Sequence, residues 1–182
     1  MSITVIDITV SVGAIGSIFA ILRLLWKIIR KRYFMSDEKL ISLCKKSCNR
    51  KLTRNEREKI LDSISFRLAK GINVNSTDWR GRTVLIIASS GGNNNLELVN
   101  LLLKHQPRFL RFFNKIDAKD RSNNTALILA ARFGSSKIVQ ALIDAGANVD
   151  ANNSKIKRAL RRAEKHGYTE TVKILRKHMG AR

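Results

Sequence analysis

Hydrophobic and polar positions divide the chain into one long apolar stretch near its start and a series of shorter helical patterns behind it. Residues 8–26 carry a single charged side chain, Arg23. As an α-helix they would be about 28 Å long, close to the roughly 30 Å hydrocarbon thickness of a bilayer. The pattern predicts a membrane-spanning helix that contacts lipid through Ile8, Ile15, Ile18, Phe19, Leu22, Leu25 and Trp26.

The order of charges around this stretch bears on two other interpretations. An export signal carries positive charge before its apolar core, whereas here Asp7 precedes the core and the basic run 30–32 follows it. Cleavage is therefore disfavoured. A helix lying on the membrane surface stays open, because Arg23, Lys27 and Arg30 share one helical face.

Two amphipathic segments follow the apolar stretch. Residues 35–51 predict a helix with Ser36 as its N-cap, acidic residues in its first turn and lysines later. Residues 55–71 predict a second helix, with Asn55 as its N-cap and Gly71 as its stop.

The remainder of the chain contains internal repeats. Residues 78–92, DWRGRTVLIIASSGG, match residues 120–134, DRSNNTALILAARFG, with aspartate, threonine, leucine, alanine and glycine at equivalent places. Residues 137–151 match the tail of the preceding unit, and a third copy lies at 158–178. Repeats of this kind predict a stack in which no unit buries its apolar face alone.

The period and the motifs resemble those of the ankyrin-repeat family. Thr125 and the equivalent Arg158 are 33 residues apart, and the segments TALILAA and GANVDA are close to the family pattern. The resemblance covers about residues 60–178, with two recognisable repeats and a degenerate one at each end. Its Thr-Pro-Leu-His motif lacks both proline and histidine in every copy here. The absence predicts an array of only moderate stability.

The residue types fit this fold on physical grounds too. Thr83 and Thr125 are suited to cap the first helix of each repeat. The second helices carry apolar stripes. Gly92, Gly134 and Gly167 fall where the first helix must stop and a left-handed residue is wanted.

The predicted fold is therefore all-α: an ankyrin-repeat solenoid of helix-turn-helix units with β-hairpin turns, preceded by a transmembrane helix. Its expected segments are the membrane helix and basic flank at 1–34, a helical N-terminal cap at 35–76, a first repeat with a loop insertion at 77–117, a second repeat at 118–150 and a degenerate C-terminal capping repeat at 151–182.

Charge and cysteine content narrow the function classes. With 35 Lys and Arg against 14 Asp and Glu, the net charge is +21, which attracts nucleic acid, anionic lipid or acidic protein surfaces. The excess of basic residues behind the membrane helix predicts that the C-terminal part lies on the cytoplasmic side. Cys44 and Cys48 lack companion ligands at metal-site spacing, so we expect free thiols, no metal and no cofactor. No catalytic motif is present, and we expect no enzyme activity.

Two groups of residues are candidates for binding a partner. The loop insertion after Leu103 interleaves aromatic and basic side chains, a composition typical of interface anchors: Arg108, Phe109, Arg111, Phe112 and Phe113. Packing of these phenylalanines onto the adjacent helix is the alternative. The family resemblance implies contacts at the hairpin tips and on the first helices: Trp79, Arg80, Arg82, Arg121, Ser122, Asn124, Arg132 and Phe133.

Together these observations predict a membrane-anchored, single-pass ankyrin scaffold that binds an unidentified protein, with its basic flank on anionic lipid. The alternative is a basic module that binds nucleic acid or lies peripherally on an anionic membrane.

Overall fold

The computed structural model describes residues 23–24, 38–49, 51–105, 116–150 and 152–180. The chain divides into two compact units, residues 1–35 and 36–182. In the first, Arg23 and Leu24 are helical and exposed. The seven predicted lipid-contacting residues (Ile8, Ile15, Ile18, Phe19, Leu22, Leu25 and Trp26) lie outside the described residues. So do Ser36 and the predicted loop anchors Arg108, Phe109, Arg111, Phe112 and Phe113. A search of the described residues finds no helix with the length and apolar character of a membrane span.

The described part of the second unit contains eight α-helices. In chain order they are α1 (Glu38–Ser47), α2 (Arg54–Ala69), α3 (Val84–Ser89), α4 (Leu96–Lys104), α5 (Ala126–Arg132), α6 (Ser136–Asp144), α7 (Ser154–Lys165) and α8 (Thr169–Met179). A short 3₁₀ helix, Asn93–Asn95, precedes α4. No strand occurs among the described residues, where the predicted hairpins are reduced to tight turns and one isolated bridge, Thr77 to Thr83.

Consecutive helices pair, and the pairs stack. Helix α1 packs on α2, α3 on α4, α5 on α6 and α7 on α8. The first helices of the pairs also contact one another in the order α1, α3, α5, α7, while α4, α6 and α8 form a neighbouring row. The two layers enclose one apolar core. All residues of the short helix α3 are buried, because it has neighbours on several sides.

Local chemistry fixes the ends of the repeat helices. The Thr83 hydroxyl accepts a hydrogen bond from the Ile86 amide, and the Thr125 hydroxyl accepts one from the Ile128 amide, each at 3.3 Å. Both predicted caps are therefore confirmed. The predicted stops at Gly134 and Gly167 are confirmed too, since each directly follows the C-cap of its helix and has positive φ, of 68° and 70°. The predicted stop at Gly92 is wrong: α3 ends at Ser89 with Ser90 as its C-cap, and Gly92, with φ 82° and ψ −178°, is the N-cap of the 3₁₀ helix.

Two helix starts differ from the prediction. Helix α2 is capped by Thr53, not Asn55: the Thr53 hydroxyl accepts from the Glu56 amide, and the Glu56 carboxylate accepts from the Thr53 amide. Helix α7 begins at Ser154 with Asn153 as its cap, so Arg158 lies inside the helix and not at its start. The asparagine side chain accepts from the Lys155 amide at 2.9 Å, an interaction that Arg158 has no oxygen to make.

Candidate protein-binding surface

Two turns of identical design project between the helix pairs; we call residues 78–82 and 120–124 the finger turns. In the first, one carboxylate oxygen of Asp78 accepts hydrogen bonds from the amides of Arg80 and Arg82, each at 3.0 Å. In the second, Asp120 accepts from the amides of Ser122 and Asn124, each at 2.8 Å. The aspartate at the same place in both repeats is thus the residue that shapes the turn.

The first finger turn is further held by ion pairs between the buried Asp78 carboxylate and two partly exposed cations. The second carboxylate oxygen of Asp78 accepts from Nε and Nη2 of Arg82 at 3.1 and 2.8 Å, and lies 3.3 Å from Nζ of Lys45 on α1. The Asp78 side chain is only 2% exposed. Burial alone raises the pKa of Asp78, but the hydrogen bonds and charge of Arg82, with the hydrogen bond from Lys45, outweigh burial and lower it. The predicted contact residue Arg82 is therefore engaged within the turn.

A backbone hydrogen bond joins the two finger turns into a row. The Arg121 amide donates to the Arg80 carbonyl at 3.0 Å. Gly81 has φ +72°, and a Cβ there would lie 3.5 Å from both the backbone nitrogen and the Cγ of Arg121. Gly81 thus adopts a left-handed conformation that glycine tolerates well, and in this conformation the second finger turn packs against the first.

Trp79 lies at the tip of this row and is 67% exposed to solvent. The Arg80 guanidinium carbon lies 4.5 Å from the centre of the indole ring, in a cation–π arrangement. Arg121 and Ser122 are exposed at the second turn, whereas Asn124 is buried and bonds Asp120. At the end of α5, Phe133 is 40% exposed.

A strongly basic cleft of about 320 Å³ lies between α5 and α7; we call it the basic cleft. Ile128 and Ala159, both almost fully buried, contribute to its lining, as do Asn124 and His166. Its other lining residues are all cationic: Arg132, Lys155, Arg158, Arg161, Arg162 and Lys165. The structure therefore places the predicted residue Arg132 in this cleft together with five cations of α7.

The α7 side of the cleft was not among the predicted binding residues, because residues 151–182 were predicted only as a degenerate capping repeat. The signal was present in the spacing: Lys155, Arg158, Arg162 and Lys165 follow one another at three- and four-residue intervals and share a helical face. The sequence alone did not predict that this face of α7 packs toward Arg132 on α5.

The two cysteines lie where α1 meets α3. Burial, with a smaller effect from the neighbouring Cys48, raises the pKa of Cys44 to about 12, and burial also raises that of Cys48. Both thiols are free. Cys48 donates toward the carbonyls of Cys44 and Ile87 at 3.2 and 3.3 Å, so it links α1 to α3. Within the described ranges no cluster of potential metal ligands occurs.

Comparison with known proteins agrees with the stacked helix pairs. A family model described as ankyrin repeats, in three copies, matches residues 53–153 and 108–182, which together cover well over half of the chain. No curated protein sequence gives a significant match.

Proposed function

This chain belongs to the ankyrin-repeat family, and on that premise we propose that it is a non-catalytic scaffold that binds a partner protein along its finger turns and first helices. Ankyrin repeats imply protein partners in general. The finer proposal is that Trp79 and Arg80 anchor the partner at the first finger turn, with Arg121 beside them. Arg132 on α5 and Phe133 at its C-cap extend the contact. The loop anchors Arg108, Phe109, Arg111, Phe112 and Phe113 remain a prediction from the sequence alone.

The observation that carries this proposal is the exposed tryptophan on a rigid support. A large aromatic side chain that is 67% exposed contributes little to folding, yet its turn is fixed by the Asp78 hydrogen bonds and by the link from Arg121 to Arg80. Partner binding to a preorganised aromatic costs little conformational entropy, and tryptophan and arginine dominate the binding energy of many interfaces.

Trp79→Ala is expected to weaken partner binding by about 30-fold, corresponding to roughly 2 kcal/mol, while leaving the free energy of unfolding within about 0.5 kcal/mol of the wild type. The measurement is quantitative recovery of associated proteins by the full chain, with nuclease present, alongside urea unfolding of each variant.

Phe66 provides a matched control for this experiment. It is also exposed, at 62%, and also carries a cation over its ring, with Lys70 Nζ 4.3 Å from the centroid, but it lies on α2 and not on a finger turn. Phe66→Ala should leave recovery unchanged. Equal losses for the two variants, or no loss for Trp79→Ala, would show that the finger turns are not the anchoring site.

We further propose that the apolar stretch at residues 8–26 anchors the scaffold in a membrane, with the repeats on the cytoplasmic side. The support lies in the sequence: its length, its single charge and the basic run that follows it. The surface-lying helix is the alternative, and Arg23 and Lys27 distinguish the two because they must reach toward the interface if the helix crosses.

Alkaline carbonate extraction tests the anchor. The full chain is expected to stay with the membrane pellet, and a chain that starts at Ser36 is expected to be released. Release of both would favour the surface-lying helix, because peripheral binding does not withstand this treatment.

A further inference from the structure

We propose that the basic cleft receives an acidic segment of the partner protein, with carboxylates on the walls and a small apolar side chain on the floor. This inference rests on the proposed scaffold function and adds the chemistry of the partner. It concerns α5 and α7, a different part of the surface from the exposed tip at Trp79.

The charge of the cleft is concentrated and unneutralised. Six cationic side chains line it, and none of them forms an ion pair with a carboxylate within the described part of the chain. The one carboxylate of α7, Glu164, pairs instead with Arg176 of α8 at 2.8 Å. Like charges on one helix face repel each other and destabilise it. An anionic ligand relieves that repulsion, and this relief adds to the favourable free energy of binding.

The dimensions suit a peptide. From Lys155 to Lys165 the stripe of basic residues runs about 15 Å along α7, the length of about five residues of extended chain. Arginine predominates over lysine in the cleft, and its planar fork matches carboxylates with two parallel hydrogen bonds. Ile128 and Ala159, at 3% and 4% exposure, contribute a small apolar patch at the base of the cleft, large enough to contact one small side chain between the charged walls.

The lining and the size of the cleft disfavour nucleic acid as its ligand. Proteins that bind single strands stack bases on aromatic side chains, and the cleft lining contains no tryptophan, tyrosine or phenylalanine. The one ring that lines it, His166, is stacked on Tyr168 with the centroids 5.7 Å apart. A cleft of about 320 Å³ accommodates a few side chains, whereas a duplex presents a broad, rounded phosphate surface.

Fluorescence anisotropy of a labelled peptide tests the proposal. The probe is a peptide of about ten residues in which glutamates alternate with leucine and alanine, added to the detergent-solubilised full chain at roughly 150 mM salt. The double variant Arg158→Glu/Arg162→Glu is expected to bind it at least about tenfold more weakly, and Arg132→Glu, on the opposite wall, is expected to weaken it as well. Circular dichroism checks that each variant keeps its helix content.

Lys157→Glu/Lys177→Glu is the control, since it changes net charge equally on exposed positions of α7 and α8 outside the cleft lining. It should change affinity by less than about threefold. Equal weakening by both double variants would mean general charge attraction and would overturn the proposal. So would stronger cleft-dependent binding of an oligothymidylate of equal charge.

If the peptide does not bind but Trp79→Ala still lowers partner recovery, the cleft proposal fails and the scaffold function stands. If the peptide binds at the cleft and Trp79→Ala has no effect, the cleft proposal stands and the finger anchor fails.

Discussion

Asp78→Asn is expected to lower the free energy of unfolding by about 2 kcal/mol, because it leaves the partly buried Arg82 guanidinium without its carboxylate. The asparagine oxygen can still accept the two turn amides. Its NH₂ group, however, would then face Nε and Nη2 of Arg82, which are also donors. The substitution also removes the ion pair between Asp78 and Lys45, which joins the first finger turn to α1. Urea unfolding of residues 36–182 measures the change.

Asp120→Asn is the matched control for that substitution. Asp120 occupies the same place in the second finger turn, but its side-chain partner there is the neutral Asn124. The expected loss is about 1 kcal/mol. Equal losses at the two positions would mean that Arg82 and Lys45 contribute nothing to the stability of the first turn.

The same ion pair predicts how stability depends on pH. Because the pKa of Asp78 is lowered in the folded protein, its contribution is fully present above the ordinary aspartate pKa, about 4, and is lost as the pH falls through the lower folded value. The Asp78→Asn variant should therefore lose less stability on acidification than the wild type. Parallel acid titrations of the two proteins would contradict this assignment.

Gly134→Ala is the second substitution with a large expected effect, a loss of about 2–5 kcal/mol in the free energy of unfolding. Gly134 has φ +68°, which costs an L-residue roughly 1–2 kcal/mol. In addition, the new Cβ would overlap the ring of Tyr168, in the turn between α7 and α8. Overpacking of this kind costs typically about 1–3 kcal/mol.

Gly167 separates the two costs. It ends α7 with nearly the same φ, +70°, but a Cβ there would meet no atom within 4 Å. Gly167→Ala should therefore show the conformational cost alone, about 1–2 kcal/mol. The double variant Gly134→Ala/Tyr168→Ala should lose less stability than the sum of the losses of the two single variants, because the overlap with the Tyr168 ring is then removed. Equal losses for Gly134→Ala and Gly167→Ala would contradict the contact with Tyr168.

Much of this fold follows from local chemistry and so could be predicted from the sequence. A threonine before an apolar run begins the first helix in either repeat, whatever surrounds it, and a glycine after the run ends that helix in the second repeat. The Thr53 cap was equally local, since Glu56 three residues later forms a capping box, yet Asn55 was the residue predicted.

The candidate binding surface depended more on tertiary structure. The repeat alignment placed Arg158 at a helix start, whereas α7 begins at Ser154, because Asn153 supplies the cap. Only that longer helix brings a continuous basic face against Arg132 on α5. Likewise, nothing in the local sequence distinguishes Arg82, which is bound to Asp78, from Arg80, which lies over Trp79. Such differences depend on which neighbour each turn packs against.

Site-specific photo-crosslinking in cells can show whether the finger turns and first helices form the protein-binding side of the scaffold. A photoreactive amino acid would replace Arg121 on the second finger turn, Arg132 in the basic cleft, or Lys137, which is exposed on α6 and lines the groove between α4 and α6. We expect crosslinked protein at positions 121 and 132 and little at 137. Crosslinks of equal yield at 137, or adducts removed by nuclease, would contradict this expectation.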